Sequence, residues 1–303
     1  MTILEKYIWV INTIFHAGEK GLSLKELNEK WLLNEDASNG KPIPRQTFDR
    51  WKGNILMSLG VLIECNWKDN FRYYIANPES LKNGTLNRWL LDTYATAQDL
   101  LQHSTLHDRI LVEPVPSSQK FLTDILNAIK ETKLIRLSYR SFKRNKSYTF
   151  PVAPYCLKLF QRRWYLLALS INDNKIRVYG LDRVEHLEIL KEAFVLPQDF
   201  NAHTYFSSYF GVVIEDSKSI ERVIIRAYGR QQHYLRSLPL HESQQEVFTC
   251  DEYADFELLV RPTYDLCMEL LKFRNMVEVM QPATLRHEMH NWAKDLWNIY
   301  KND

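Results

Sequence analysis

Between residues 133 and 181 four strand-like runs follow one another with only short polar breaks: KLIRLSYR at 133–140, SYTFPVAPYCLKLF at 147–160, RRWYLLALS at 162–170 and KIRVYGL at 175–181. No other feature restricts the fold as much, because the breaks leave room for turns and little else. A helical pattern, SQKFLTDILNAIKETK, precedes the runs and places Phe121, Leu122, Ile125, Leu126 and Ile129 on one apolar side. One helix plus a meander of short strands predicts a small, strongly curved β-barrel. Alternation along the strands puts Arg136, Ser138 and Arg140 on one face, groups Arg163 with Tyr165, and groups Arg177 with Tyr179. Trp164 and Leu166 are then core residues, with Tyr165 turned the other way. The stretch QRRWYLLALS, residues 161–170, poses the functional question. Its two arginines either start an ordinary half-buried strand at a basic turn or form the floor of a basic pocket.

Charge bears on that choice. The net charge of +2 hides an asymmetry: residues 1–118 carry 13 Lys or Arg against 14 Asp or Glu, residues 119–190 carry 14 against 6, and residues 191–303 carry 12 against 17. The surplus sits on the strand-rich segment. It suggests a phosphate-bearing or otherwise anionic partner, with a solvated lysine face as the plainer reading.

Ahead of this segment the hydrophobic period is helical. Ile3, Leu4, Tyr7, Ile8, Val10, Ile11, Ile14 and Phe15 make one helix, stopped by Gly18 and Gly21. Ser23, three residues before Glu26, reads as a capping box that opens a second helix burying Leu24, Leu27 and Trp31. After the polar stretch NEDASNGKP, Pro44 and the spacing of Phe48, Trp51, Ile55 and Leu56 predict a third. GVLIECNW and FRYYIA around KDN then read as a β-hairpin. Three helices and a hairpin in this order outline a winged helix-turn-helix. Its third helix would offer Arg45, Gln46, Thr47, Arg50 and Lys52 to double-stranded DNA, and its wing Lys68, Asn70 and Arg72. Helix-plus-hairpin units also dock proteins, and this segment is not basic. GTLNRWLLDTYATAQDLLQH predicts a connecting helix with Leu86, Trp89, Leu90, Tyr94, Ala97, Leu100 and Leu101 on its apolar side, and Pro114, Pro116, Ser117 and Ser118 mark a boundary.

From about residue 195 the order is strand, helix, strand, strand, helix, strand, helix, an α+β arrangement close to a ferredoxin-like unit with an added terminal helix. Its acidic balance makes assembly a better role for it than nucleic-acid contact. The fold class is therefore α+β multidomain, with divisions at 1–78, 79–116, 117–192 and 193–303, consistent with a length sufficient for two or three cores.

LSYR ending at Arg140, PYCL at 154–157, RWYL at 163–166 and RVYGLDRV at 177–184 together give the middle segment its resemblance to a WYL domain. The flanking segments are similar to the usual architecture of WYL-domain transcriptional regulators, with a WCX-type dimerising extension at the C-terminus. Many members place a glycine in the hairpin before the Trp-Tyr-Leu strand. Gln161 and Arg162 stand there in this chain, which implies a longer or more basic turn. The resemblance implies a DNA-binding regulator whose Sm-like barrel senses an anionic ligand. In some members that ligand is a short single-stranded DNA, and related regulators control phage-defence genes. Carried over residue by residue, the pocket comprises Tyr139, Arg140, Arg163, Tyr165, Arg177, Tyr179 and Arg183. Guanidinium groups pair with phosphate and aromatic faces stack on bases.

The expected function is a cytoplasmic, homodimeric regulator, a repressor that binds operator DNA and responds to a nucleotide or short oligonucleotide, with phage-defence or DNA-damage genes as its targets. A binding module without a transcriptional role is the alternative. No GxGxxG, Walker loop or GxSxG elbow occurs, so neither an enzyme nor a cofactor is expected. Asp182 beside Arg183 reads as a structural ion pair. His287 and His290 lack zincin spacing, and His103 and His107 read as a helix end. Cys65, Cys156, Cys250 and Cys267 form no CxxC pair and read as reduced thiols. The start of the chain shows no signal-peptide pattern, and no apolar run is long enough for a membrane span.

Overall fold

A computed structural model describes residues 2–33, 38–82, 85–102, 109–111, 119–142, 146–215 and 217–301, in two compact units, Met1–Glu113 and Pro114–Asp303. His103, His107 and the predicted boundary at Pro114, Pro116, Ser117 and Ser118 lie outside the described residues.

In the first unit, α1 (Ile3–His16), α2 (Leu24–Leu32) and α3 (Arg45–Leu59) precede a hairpin of β1 (Ile63–Asn66) and β2 (Arg72–Ile75), and α4 (Leu86–Gln102) follows. Three tryptophans join the helices: Trp31 meets Trp9 at 4.9 Å and Trp51 at 6.0 Å between ring centroids, edge to face. The predicted capping box opens α2, where the Glu26 carboxylate accepts from the Ser23 backbone N–H and hydroxyl, both at 2.8 Å. The other Glu26 oxygen takes Arg72 of β2 at 3.0 Å, so one carboxylate fastens the hairpin to the start of α2. Leu22 pairs with Tyr73 beside it, and a Cβ on Gly21, at φ +61°, would lie 2.4 Å from the Tyr73 carbonyl oxygen. Among the described side chains of α4, Leu91 is buried and Tyr94 packs against the core, while Leu86, Trp89 and Leu90 are exposed, contrary to the predicted apolar side.

In the second unit, α5 (Leu122–Lys130) is followed by β3 (Lys133–Ser141), β4 (Lys146–Phe160), β5 (Arg163–Ser170), β6 (Lys175–Gly180) and β7 (Val184–Ala193), an antiparallel sheet in the order β6-β5-β4-β3-β7. Phe121 and Ile125 fill the core as predicted, with Leu122 and Ile129 packed against it; Leu126 is exposed and Ala128 is buried in its place. Strand β4 pairs with β3 through Val152 and with β5 from Val152 onward, shifting register between Pro154 and Cys156. The meander is as expected, but among the described residues no ladder joins β6 to β7, so the sheet is open where a closed barrel was predicted. The short 3-10 turn Leu181–Arg183, packed against β3 and β5, occupies the corner between those two edges. The β4–β5 hairpin is not lengthened: Phe160 faces Arg163, leaving Gln161 and Arg162 alone in the turn at φ 44° and 66°. Two-residue hairpin turns of this hand require positive φ at both positions, and here two residues with side chains supply it.

Both faces of the β4–β5 pair are covered. Leu166 and Ala168 join Val152 under α5, while Ala153, Tyr155 and Leu167 pack on the other side against Phe206 and Tyr209. Burial on two faces accounts for the nearly unbroken apolar runs in VAPYCL and YLLAL. The second covering includes α6 (Ala202–Phe206) and leads to β8 (Glu221–Tyr228), α7 (Gln231–Ser237), β9 (Gln245–Thr249), β10 (Tyr253–Val260), α8 (Tyr264–Lys272), β11 (Val277–Gln281) and α9 (Ala283–Tyr300). The strand order β11-β8-β10-β9, all antiparallel, is ferredoxin-like, in keeping with the succession of strands and helices read from the sequence.

One peptide ties the two sheets of this unit. Lys158 of β4 donates to the Gly211 carbonyl at 2.7 Å, while Asp265 of α8 accepts from the Val212 and Val213 N–H groups at 2.6 and 2.7 Å. Burial pushes the Lys158 ammonium down to about 8, against the pull of Asp265. No described helix is long and apolar enough to cross a membrane.

Two consequences can be measured. A Cβ on Gly211 would lie 2.1 Å from the Asp265 carboxylate, so Gly211→Ala is expected to cost about 1–3 kcal/mol in denaturant unfolding. Hydrogen bonds from Ser23, with help from Arg72, hold the Glu26 carboxyl at about 2 instead of 4.5. A depressed carboxyl stabilises the fold above its unfolded value and loses that contribution as pH falls toward the folded one. The stability gap between wild type and Glu26→Gln should therefore shrink between about pH 4.5 and about pH 2.

Candidate nucleic-acid and ligand sites

In the first unit the candidate surface is α3. Its buried side is Phe48, Trp51 and Ile55, which turns Gln46, Asp49, Arg50, Gly53 and Met57 outward in one stripe. Arg45 is exposed at the first turn, after Pro44, with no side chain capping the helix. The five predicted helix residues thus divide. Arg45, Gln46 and Arg50 face outward, whereas Thr47 is half-buried. Lys52 lies over the Tyr73 ring at 4.8 Å and pairs with Asp49 at 3.0 Å.

The predicted wing residues divide as well. Lys68 is exposed, with its ammonium 5.7 Å from the Trp67 ring centroid, and Asn70 is exposed. Arg72 also serves the fold: its guanidinium donates to Glu26 and to the Lys20 carbonyl, both at 3.0 Å. Removing it would disturb the packing of the hairpin before any contact with a partner.

In the second unit the site forms at the corner of the sheet. Register places Gly180 beside Tyr165 and Val184 beside Tyr139, so the Leu181–Arg183 turn spans the ends of β5 and β3. Arg183 lies 5.0 Å from the Tyr139 ring centroid and 5.2 Å from that of Phe142, a guanidinium held by two aromatic rings. Arg163 pairs with Asp182 at 3.3 Å. Gly180 makes room for this: a Cβ there would lie 2.6 Å from Asp182 and 3.2 Å from Arg183. Asp182 is the partner of Arg163, a neighbour across the corner and not the adjacent residue the sequence pointed to.

Two buried phenols pack together beside this turn. Tyr139 and Tyr179, 9% and 5% exposed, meet edge to face at 5.3 Å. Burial raises both hydroxyls, Tyr179 to about 12, and burial raises Tyr165 as well. They are neutral at physiological pH and unsuited to proton transfer there. Their rings are enclosed, which leaves little of either face open to a base, and the Tyr139 ring is the floor on which Arg183 rests. The accessible aromatic surface comes from Phe142, Tyr148 and the half-buried Tyr165.

Tyr139, Arg163, Tyr165, Tyr179 and Arg183 thus come together. Arg140 does not join them, since alternation along β3 turns it to the outer face with Arg136 and Ser138. Arg177 stands on the exposed start of β6, paired with Asp173. The sequence reading missed Phe142, Tyr148 and Gly180. Tyr148 stands opposite Tyr139 in the β3–β4 register, information that no local pattern carries.

Residues 120–189 match the model of the WYL domain, and residues 219–297 match the model of the WCX domain. Among curated proteins none matches. Two solved structures are similar at low identity. Proteasome accessory factor B/C (PafBC) of Arthrobacter aurescens is 20% identical with a TM-score of 0.35; the match covers 94% of this chain and 45% of the PafBC chain, so this chain spans less than half of that relative's length. A CRISPR Cas-related protein is 12% identical with a TM-score of 0.38, over 99% of this chain and 85% of that one. The chain thus carries a WYL domain, with the four-part signature inside the matched segment, and a WCX domain after it.

Proposed function

We propose that this protein is a DNA-binding transcriptional regulator whose WYL domain senses an anionic ligand, a nucleotide or a short single-stranded nucleic acid. The observation that carries the reading is the corner of the WYL sheet. There Arg183 is pre-oriented between Tyr139 and Phe142, Arg163 stands nearby, and Phe142, Tyr148 and Tyr165 offer aromatic surface. Guanidinium groups fixed before binding lose little freedom on pairing with phosphate, and exposed rings beside them suit unstacked bases. The protein acts by binding rather than catalysis, in the cytoplasm, and needs no cofactor.

The first unit, in this reading, is a winged helix-turn-helix that inserts α3 into the major groove. Arg50 reads base edges or phosphate, and Arg45 and Gln46 act at the helix start, where backbone N–H groups also favour phosphate. Gly53 on the same stripe keeps the helix surface low where a groove wall would approach. The regulator works as a homodimer and a repressor on a near-palindromic operator, since two-fold proteins match two-fold sites. Ligand binding changes operator affinity, and phage-defence or DNA-damage genes are the proposed targets.

A second reading keeps the anion site but makes the first unit a protein-docking module. It is favoured by the near-neutral charge of that segment and by Met57, 87% exposed on α3.

A mobility shift with the DNA upstream of the protein's own reading frame, against an unrelated competitor duplex, separates the two. Specific retention by wild type and a loss of about 1–3 kcal/mol in affinity for Arg50→Ala are expected. Equal binding by Arg50→Ala and wild type would favour the docking reading. At the other site, Arg183→Ala and Gly180→Ala should bind duplex normally yet bind a labelled short single strand about tenfold more weakly in fluorescence anisotropy. Undiminished single-strand binding by both variants would remove the corner as the ligand site.

A further inference from the structure

The tip of the β1–β2 hairpin, residues 67–71, reads WKDNF and is built unlike a simple basic wing. Trp67 is 69% exposed and Phe71 60% exposed, on a turn that nothing in the unit covers among the described residues. Backbone hydrogen bonds hold the turn closed, Asp69 N–H to the Asn66 carbonyl at 3.3 Å and Arg72 N–H to the Asp69 carbonyl at 3.1 Å. Asn70 and Phe71 follow each other in the left-handed region at φ 49° and 54°. Asparagine tolerates that conformation, but for phenylalanine it is unfavourable, so the backbone keeps the ring at the tip against its local preference.

Two observations indicate what such a tip meets. The Lys68 ammonium lies over the Trp67 ring, which places a cation on the apolar end itself. Phe71 and Asn70 also line a depression of about 200 Å³ whose other walls include Tyr73, Ser23 and Arg45, the exposed arginine at the start of α3. The aromatic tip is therefore continuous with the helix surface assigned to DNA. Asp69 is the one acid in the turn, and its backbone carbonyl accepts from the Arg72 backbone N–H.

We propose that Trp67 and Phe71 form an aromatic wedge that enters the minor groove of duplex DNA next to the site read by α3, with Lys68 on the flanking phosphate. This rests on the DNA-binding reading of the first unit. Apolar side chains in a minor groove act by prying base steps apart and by packing on deoxyribose, so the sequence they prefer is one that deforms easily. The wedge selects flexible pyrimidine–purine steps beside the half-site, without a hydrogen bond to those bases.

The test uses the full chain and a duplex retained by wild type, with 2-aminopurine placed in the flank next to the half-site. Wild type should raise the 2-aminopurine fluorescence on binding, and Trp67→Ala should abolish that rise and weaken binding about tenfold. Phe71→Ala should act in the same direction, and Lys68→Ala should lower the salt slope by about 1. Both aromatic side chains are exposed, and a thermal melt matching wild type confirms that each variant is folded. The wedge is refuted, and the reading of α3 kept, if Trp67→Ala and Phe71→Ala match wild type in affinity and fluorescence while Arg50→Ala loses the duplex. If the tip variants change only the oligomeric state, the tip contacts a second copy and the wedge is again refuted. If wild type retains no duplex at all, the wedge and the DNA-binding reading fall together.

Discussion

Strand β4 is the element on which the second unit depends. Its first half completes the ladder with β3 and its second half the ladder with β5, and the change of register between Pro154 and Cys156 bends it from one to the other. Proline carries no N–H, so Pro154 suits a place where the ladder is interrupted. The bend also gives the strand two cores to serve, one under α5 and one under the 194–214 segment. Lys158 then extends from the same strand to the Gly211 peptide, whose far side is held by Asp265. A single strand thus shapes the WYL sheet and anchors the WCX domain to it.

The chemistry at the sheet corner follows from what that sheet leaves open. With β6 and β7 unpaired to each other among the described residues, the Leu181–Arg183 turn places Arg183 over the buried Tyr139. Two forces set its orientation: the ring faces of Tyr139 and Phe142 attract the guanidinium, and the absence of a Cβ on Gly180 lets it lie close. Burial keeps the phenols protonated, so the floor is neutral and the positive potential comes from the arginines. Such a surface binds an anion by fixed charge and shape, and the proposed sensing role requires nothing more.

Much of this was legible in the sequence because the signals were local. The Ser23–Glu26 capping box, the change from helical to alternating period after residue 60 and the ferredoxin-like order all depend on neighbours within a few residues. What was not legible depended on long-range partners. Arg72 and Lys52 look like free cations until Glu26, Tyr73 and Asp49 are placed beside them. Strand β7 escaped notice because its edge position tolerates Glu185, His186, Glu188 and Glu192, and because its buried Val184 and Leu187 stand three apart across a register shift instead of alternating. Tyr139 and Tyr179 carry the residue type of a stacking platform but sit inside. Phe142 and Tyr148, which remain accessible, belong to no motif.

The central claim is that the corner holding Arg163 and Arg183 is built for an anion. The most direct measurement is a crystal structure of the full chain with a short single-stranded oligonucleotide. The account predicts a phosphate within hydrogen-bonding distance of the Arg183 guanidinium, with a base against Phe142, Tyr148 or Tyr165. An oligonucleotide bound elsewhere, with Arg183 still resting on Tyr139 and touching no ligand atom, would contradict it.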